Sequence, residues 1–417
     1  IDGEGKRVSR AKLWLADPRR RNYRFVDFLP GQEETGDTLN LWTGWAVQPD
    51  HHASCEAWLE LLQMVICGND DQMHDWSLHW FAGIIRDPMQ KSLTALAIVG
   101  PEGAGKSLLI SYFGDILGKY YIPVTNDEQI HGRFNKHMAQ CLLLHSEEAL
   151  WAGDKRHAAV IRSLITDDYR MLEQKGIDAV RVRNFSRLIL TSNELHAASA
   201  RPGDRRHSII QMRDRKASRV LIDAVLRERE NGGPAALLHH LQTMKYDPML
   251  ARSNVKNKAL AELKRLGGTP VENWWFDTLK SGELLPEKLA WAQKPEKEPW
   301  PQVVSAKALH RAMIHYVKQL GTRYAIPTEA EMSIRLKQMT QHKFMPHTYQ
   351  CYDDPLHDDC PPDFKHLGER QYTIPDMPSL EKCRKAFDKF DGQEYDWPGE
   401  DEASANVVKL RKPGSEF

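Results

Sequence analysis

The sequence predicts an α/β fold: a P-loop core with a parallel sheet, preceded by a small helical domain and followed by a helical, winged-helix-like region. Three observations predict it. Short apolar strands alternate with helices between residues 91 and 215, the grammar of a parallel sheet. A glycine-rich turn joins the first of those strands to the first helix. The stretches on either side read mainly as helices. Apolar residues make up 41% of the 417, enough to fill the cores of two or three domains.

Residues 1–90 read as an N-terminal helical region suited to oligomerisation as a collar. A basic cluster, Arg19, Arg20, Arg21 and Arg24, lies among turn residues near its start. CEAWLELLQMVIC, from Cys55 to Cys67, predicts an apolar helix, and HDWSLHWFAGIIRD a second that ends before Pro88. Residues 91–215 carry the strand TALAIVG, the helix SLLISYFGDILG, and two further strands in AQCLLLHSEEA and FSRLILTSNE. Residues 216–417 are helical and charged, with QKPEKEPWPQ as a linker or long loop. SAKALHRAMIHYVKQLG and PTEAEMSIRLKQMT predict two amphipathic helices, the second capped by Thr328. The strand-like pieces YQCYDD and QYTIP after them suit a winged helix.

Lysine plus arginine equals aspartate plus glutamate at 57 each, so net charge announces no nucleic-acid partner. A locally basic surface can still bind one. The six cysteines are sparse and irregularly spaced, which fits a reducing compartment better than a disulfide scaffold. The sequence shows no signal peptide and no apolar run long enough to span a bilayer. It begins at Ile1 rather than Met, so a longer parent protein is expected.

Gly100-Pro101-Glu102-Gly103-Ala104-Gly105-Lys106-Ser107 matches G-x-x-x-x-G-K-S without a mismatch, between an apolar strand and an amphipathic helix. Glycines let backbone N–H groups curl round phosphate oxygens, and the helix N-terminus adds partial positive charge. The segment Gly100 to Leu108 is therefore the expected ATP site. Lys106 would reach the β- and γ-phosphates, and Ser107 would ligate Mg²⁺.

The strand CLLLHSEE ends in Glu147 and Glu148. One acid at such a strand end can join the Mg²⁺ shell and the other can activate water. Glu147 is assigned the metal side and Glu148 the base; a solvated helix start would also favour acids. RLILTS ends in Asn193, placed to bond the γ-phosphate or the attacking water as a sensor. Arg205 and Arg206 follow a dozen residues later and could reach a neighbouring subunit's nucleotide as an arginine finger. A surface ion pair is the plainer alternative.

In order, GPEGAGKS, LLLHSEEALWAGDK, ITDDYRMLEQKGIDAVRVRN, LILTSNE and PGDRRHSII resemble superfamily 3 helicases. They are most similar to the ATPase part of phage and mobile-element primase-helicases. The upstream text from LNLWTGWAVQP to HDWSLHWFAGIIRDPMQK is similar too. The resemblance is strong over residues 38–215 and weak beyond. It implies an AAA+ ATPase forming a ring, usually a hexamer, and translocating 3′→5′ on single-stranded or forked DNA. It also implies an upstream primase domain and the cytoplasm of a bacterial host. It further implies a DNA-gripping β-hairpin, and MLEQKGIDAVRVRN supplies two strand-like runs round Lys175 and Gly176. Lys175 is the expected pore residue, with Arg181 and Arg183 as further phosphate contacts or simply a wet strand face. One departure is His207, where the family often has an aromatic; it leaves open which of Arg205 and Arg206 is the finger.

His347, Cys351, His357 and Cys360 form a loose zinc-type set, but the interleaved acids and prolines read better as an irregular loop. Trp274, Trp275 and Trp291 are base-stacking candidates, though more often such residues anchor a core. Two other functions compete with the helicase. An AAA+ initiator or loader would use ATP as a switch without unwinding, and would have no need of the Lys175 hairpin. A small-molecule kinase would need neither Asn193 nor a trans-acting arginine.

Overall fold

The computed structural model describes residues 9–33, 36–126, 130, 135–147, 155–174, 177–193, 206–212, 215–266, 268–284, 300, 304, 306–319, 325–342, 346–351, 370–375 and 377–398. Contacts divide the chain into two units, one made of Ile1–Ala198 with Arg206–Val255, the other holding Lys256–Phe417.

In the first unit a short helix α1 (Arg10–Ala16) precedes a parallel pair, β1 (Phe25–Asp27) beside β2 (Thr38–Asn40). Helix α2 (Glu56–Glu60) runs on into a π-helical turn over Leu61–Ile66. Helix α3 (Asp71–Arg86) starts at Asp70, whose side chain accepts from the Met73 N–H. Then come β3 (Ala95–Val99), α4 (Lys106–Leu117), β4 (Tyr121–Val124), β5 (Leu143–Glu147) and α5 (Lys155–Thr166). An antiparallel hairpin, β6 (Tyr169–Gln174) with β7 (Ile177–Arg183), leads to β8 (Arg187–Ser192) and β9 (His207–Gln211). Helices α6 (Arg219–Glu230), α7 (Gly233–Thr243) and α8 (Pro248–Arg252) complete the unit.

The five-stranded sheet has the order β4-β5-β8-β3-β9, and every adjacent pair is parallel. All residues of β3 and β8 are buried, as central strands covered on both faces must be. Pro123 cannot donate to a ladder, and its strand β4 lies at the sheet edge. The chain leaves β3 for the far side of the sheet and returns to β3's other flank in β9. Open α/β sheets bind ligands outside the strand carboxyl ends at such a switch point.

The helices ahead of the sheet do not fold apart from it. Trp58, Trp76, Trp80 and Phe81 are buried in one cluster with Ile110 and Phe113 of α4 and Leu143 of β5. The expected N-terminal region and the sheet thus share a single core, because the apolar faces of α2 and α3 are covered by the sheet's own helices. Glu228 of α6 accepts from the N–H groups of Ala57 (2.9 Å) and Trp58 (3.1 Å) and from the Tyr112 hydroxyl (2.9 Å). It supplies the acceptor that the Cys55 side chain does not provide at the start of α2. At the root of β8, buried Arg187 donates to the carbonyls of Asp87 (2.6 Å), Pro88 (2.8 Å), Phe185 (2.9 Å) and Gln90. That ties the chain beyond α3 to the sheet.

The second unit holds α9 (Lys258–Leu266), α10 (Pro270–Ser281), α11 (Ala306–Gln319), α12 (Glu329–Thr340), the antiparallel strands β10 (Pro346–Cys351) and β11 (Arg370–Pro375), and α13 (Leu380–Asp391). Trp274, Trp275, Leu279, Met313, Met332 and Phe387 form its core, so the first two act as core anchors rather than stacking platforms. Thr328 caps α12 as expected, in a reciprocal box with Glu331. Two amphipathic helices followed by a two-stranded ladder is the order expected for this region. No helix among the described residues is long and apolar enough to cross a membrane.

Lys91 is buried, and its Nζ donates to the carbonyls of Leu164 (2.5 Å) and Asp167 (3.0 Å) at the end of α5. Burial, then the positive charges of Arg187 and Arg170, push it down to about 7. Between pH 7 and the ordinary lysine value of about 10.5 the unfolded chain holds the extra proton, so this group's contribution rises with pH and is lost as pH falls towards 7. Urea midpoints measured at pH 7 and pH 9.5 should therefore show a steeper rise for the parent than for Lys91→Met. Equal slopes would remove Lys91 as their source.

Candidate functional site

The carboxyl end of β3 turns through Gly103 (φ +71°) and Gly105 (φ +98°), backbone conformations that favour glycine, before α4 begins at Lys106. A Cβ on Gly103 would meet nothing within 4 Å, so the loop faces open space, whereas one on Gly100 would strike Met212 at 2.6 Å. Lys106 is buried, with Nζ 2.6 Å from the Gly100 carbonyl, 2.9 Å from that of Pro101 and 3.0 Å from Asn193 Oδ1. The loop therefore presents backbone N–H groups, a helix N-terminus and an ammonium to one space, the equipment for a polyanion.

That space is a cavity of about 630 Å³. Residues 102–108 form one wall, and Thr125, Glu147, Thr191, Asn193 and Ile222 the rest. Parallel register explains the gathering: Glu147 pairs with Thr191, and Ser192 with Val99, so three strands end at one level. Ser107 is exposed and the Glu147 side chain is 37% exposed, so both can offer oxygen to a hard divalent cation. Among the described residues no group of three or more His, Cys, Asp or Glu could hold a metal. A cation here would complete its shell with phosphate oxygens and water, which suits Mg²⁺.

Beneath Glu147 lies a residue that motif reading passed over. His145 is buried; its Nδ1 lies 2.8 Å from the Tyr121 hydroxyl and its Nε2 3.0 Å from Thr191 Oγ1. Both partners sit diagonally across the ladder on the same face, within reach of a ring. Burial lowers the imidazole to about 4 against the opposing pull of Glu147, whose Oε1 is 3.9 Å away. Neutral His145 thus joins three strands directly under the cavity floor and fixes the Thr191 hydroxyl. A polar ring inside the apolar run CLLLHSEE was the signal that could have revealed it. No local signal marks Thr125 or Ile222, which come to the cavity from distant elements.

Lys106, Glu147 and Asn193, predicted from separate strings, line the same cavity, together with Glu102 to Leu108. Arg206 does not join them. It immediately precedes β9, whose first residue pairs with Ala95 at the start of β3, so it stands at the opposite edge of the sheet, about 16 Å of strand away. Arg181 and Arg183 are exposed on β7; the Arg181 guanidinium lies 4.1 Å from the Tyr169 ring centroid and that of Arg183 5.0 Å from Phe185's. Glu148, Lys175, Gly176, Arg205, Trp291, His357 and Cys360 lie outside the described residues. His347 and Cys351 fall on β10.

A family model described as a family of unknown function (DUF5906) matches residues 98–206, which span the glycine-rich loop, β5 and β8. The chain is 24% identical over 139 residues to a DNA primase-polymerase of Nitratiruptor phage NrS-1, covering 32% of this chain and 19% of that protein. It thus spans about a fifth of the length of that relative. Its fold is similar to the apo structure of the NrS-1 C-terminal region: TM-score 0.62 at 15% identity over 84% of each chain. A second form of that region gives 0.61 at 16% identity over 85% of each. The chain is therefore similar in sequence to a phage replication protein and shares a mixed α/β fold with the C-terminal region of NrS-1.

Thr191→Val tests the histidine bridge. The substitution keeps volume but leaves buried Nε2 without its hydroxyl partner, so unfolding free energy should fall by about 1–3 kcal/mol. Urea denaturation measures it, and an unchanged midpoint would remove His145 from its assigned place.

Proposed function

We propose that this chain is an ATP-hydrolysing motor of phage or mobile-element DNA replication, a superfamily 3 helicase with an AAA+ core. The observation that carries the reading is the convergence of Lys106, Glu147 and Asn193 on one cavity at the switch point of a parallel sheet. Similarity to a phage DNA primase-polymerase supports the setting.

In this reading Gly100 to Leu108 wrap the phosphates of ATP, with Lys106 against the β- and γ-groups. Ser107 and Glu147 would hold Mg²⁺, which would supply positive charge beside the phosphates. Glu148 takes the proton of the attacking water, and Asn193 orients that water or the γ-phosphate. The cavity walls Thr125 and Ile222 bound the rest of the nucleotide. Arg206, with Arg205 beside it in sequence, serves the site of a neighbouring copy in a ring, expected to be a hexamer. The β6–β7 hairpin carries Lys175 into the pore, where single-stranded or forked DNA passes with 3′→5′ polarity. A primase domain upstream and a bacterial cytoplasm complete the setting.

Purified Lys106→Ala protein should lose ATP hydrolysis, since the developing phosphoryl charge loses its partner. Turnover at the parent rate, in a phosphate-release assay, would sink the assignment.

Lys175→Ala should separate strand grip from chemistry. Single-strand binding should weaken about equally across sequences, and unwinding of a tailed duplex should fall much further than hydrolysis. Unwinding at the parent rate would show that the hairpin is not the grip. A parent protein that hydrolyses ATP yet never unwinds would favour an ATP-driven loader.

A further inference from the structure

Helix α11 has the sequence AKALHRAMIHYVKQ, in which four residues are basic or histidine beyond His310 and none is acidic. Its exposed residues are Lys307, Arg311, His315, Lys318 and Gln319. The cations Lys307, Arg311 and Lys318 recur at spacings of four and seven, so on a helix turning about 100° per residue they fall within an arc of about 40°. They run about 16 Å along the axis, with steps of about 6 and about 10 Å. The opposite face, Ala308, Leu309, Ala312, Met313 and Val317, is buried in the core of its unit.

Nothing within the described residues neutralises this stripe. Lys307, Arg311 and Lys318 form no ion pair among them, and His315 contacts Gln319 of its own helix at 2.8 Å. The acids of α10 are engaged elsewhere: Asp277 with Arg265 (2.8 Å) and the Tyr316 hydroxyl (2.7 Å), and Glu272 with Arg335. A row of cations on one helix face, with no acid paired to it, attracts a polyanion.

We propose that this face of α11 binds the phosphate backbone of duplex DNA, as a second DNA contact separate from the hairpin. The occupant follows from what the ridge lacks. Single strands are held by aromatic rings on which bases stack, and no fully exposed position of α11 is aromatic. A membrane surface needs apolar side chains beside the cations, and every exposed residue here is polar. A rigid row of point charges with no base-reading geometry positions a duplex without selecting its sequence.

The test uses the full chain and blunt-ended duplexes of unrelated sequence, with binding followed by fluorescence anisotropy across salt concentrations. The triple variant Lys307→Gln/Arg311→Gln/Lys318→Gln should bind duplex more weakly and flatten the plot of log K against log salt by about 2.7, or 0.9 per contact. Glutamine matches lysine and arginine in helix propensity, so the helix should persist. The charge-keeping variant Lys307→Arg/Arg311→Lys/Lys318→Arg should retain the parent slope. An unchanged slope in the glutamine variant overturns the proposal. So does an equal loss in the charge-keeping variant, which would mark a structural effect, or a loss confined to single-stranded DNA.

Discussion

Across β5, β8 and β3 the parallel ladder pairs Glu147 with Thr191 and Ser192 with Val99, and everything at the cavity hangs on that register. Side chains alternate along a strand, so a slip of one residue would turn Glu147 and Thr191 to the other face. It would also withdraw Asn193 from Lys106, now 3.0 Å away. Burial on both faces is what forbids the slip: displaced by one, β8 would lose its packing on both sides at once. The His145 bridge adds a polar lock to the apolar one. Its ring accepts only the register that sets Tyr121 and Thr191 diagonally to it, because any other leaves a buried imidazole nitrogen unpaired.

Two charged groups, half-buried Glu228 and buried Arg187, carry that order outward. Glu228 binds the start of α2 and the Tyr112 hydroxyl of α4, so the helix after the sheet holds the helix before it and the helix that follows the glycine-rich loop together. Arg187 anchors the chain after α3 through carbonyl oxygens alone among its hydrogen bonds. Burial lowers it only to about 10, so at neutral pH it stays charged and its bonds remain charge-assisted. Both devices act across more than ninety residues of sequence. They make the N-terminal helices part of the scaffold that supports the loop.

That distance explains which parts of the molecule could be read from sequence. The glycine-rich loop, the strand ends at Glu147 and Asn193, the β6–β7 hairpin and the Thr328 cap are local patterns: their chemistry and backbone geometry lie within a few residues. Glu228 looks like any surface acid of a charged helix, and its partners lie some 170 positions away. Arg187 reads as a basic residue opening a strand. Ile222 and Thr125 reach the cavity by tertiary folding with no motif of their own. What packs against the apolar helices α2 and α3 was hidden for a related reason. Periodicity reports that a face must be covered, not what covers it.

The position of Arg206 sets a geometric condition on its chemistry. The glycine-rich loop leaves the carboxyl end of β3, while Arg206 precedes the strand that starts beside Ala95 at the other end. A guanidinium at the amino edge of a parallel sheet cannot bend round five strand residues to the cavity at the carboxyl edge. Glu147 and Asn193 need only their own chain to reach that cavity. If Arg206 serves a nucleotide, the nucleotide must belong to another copy, and catalysis then depends on assembly. Such a site would be complete only where the amino edge of one sheet meets the carboxyl edge of the next, a head-to-tail contact that closes into a ring or continues as a filament.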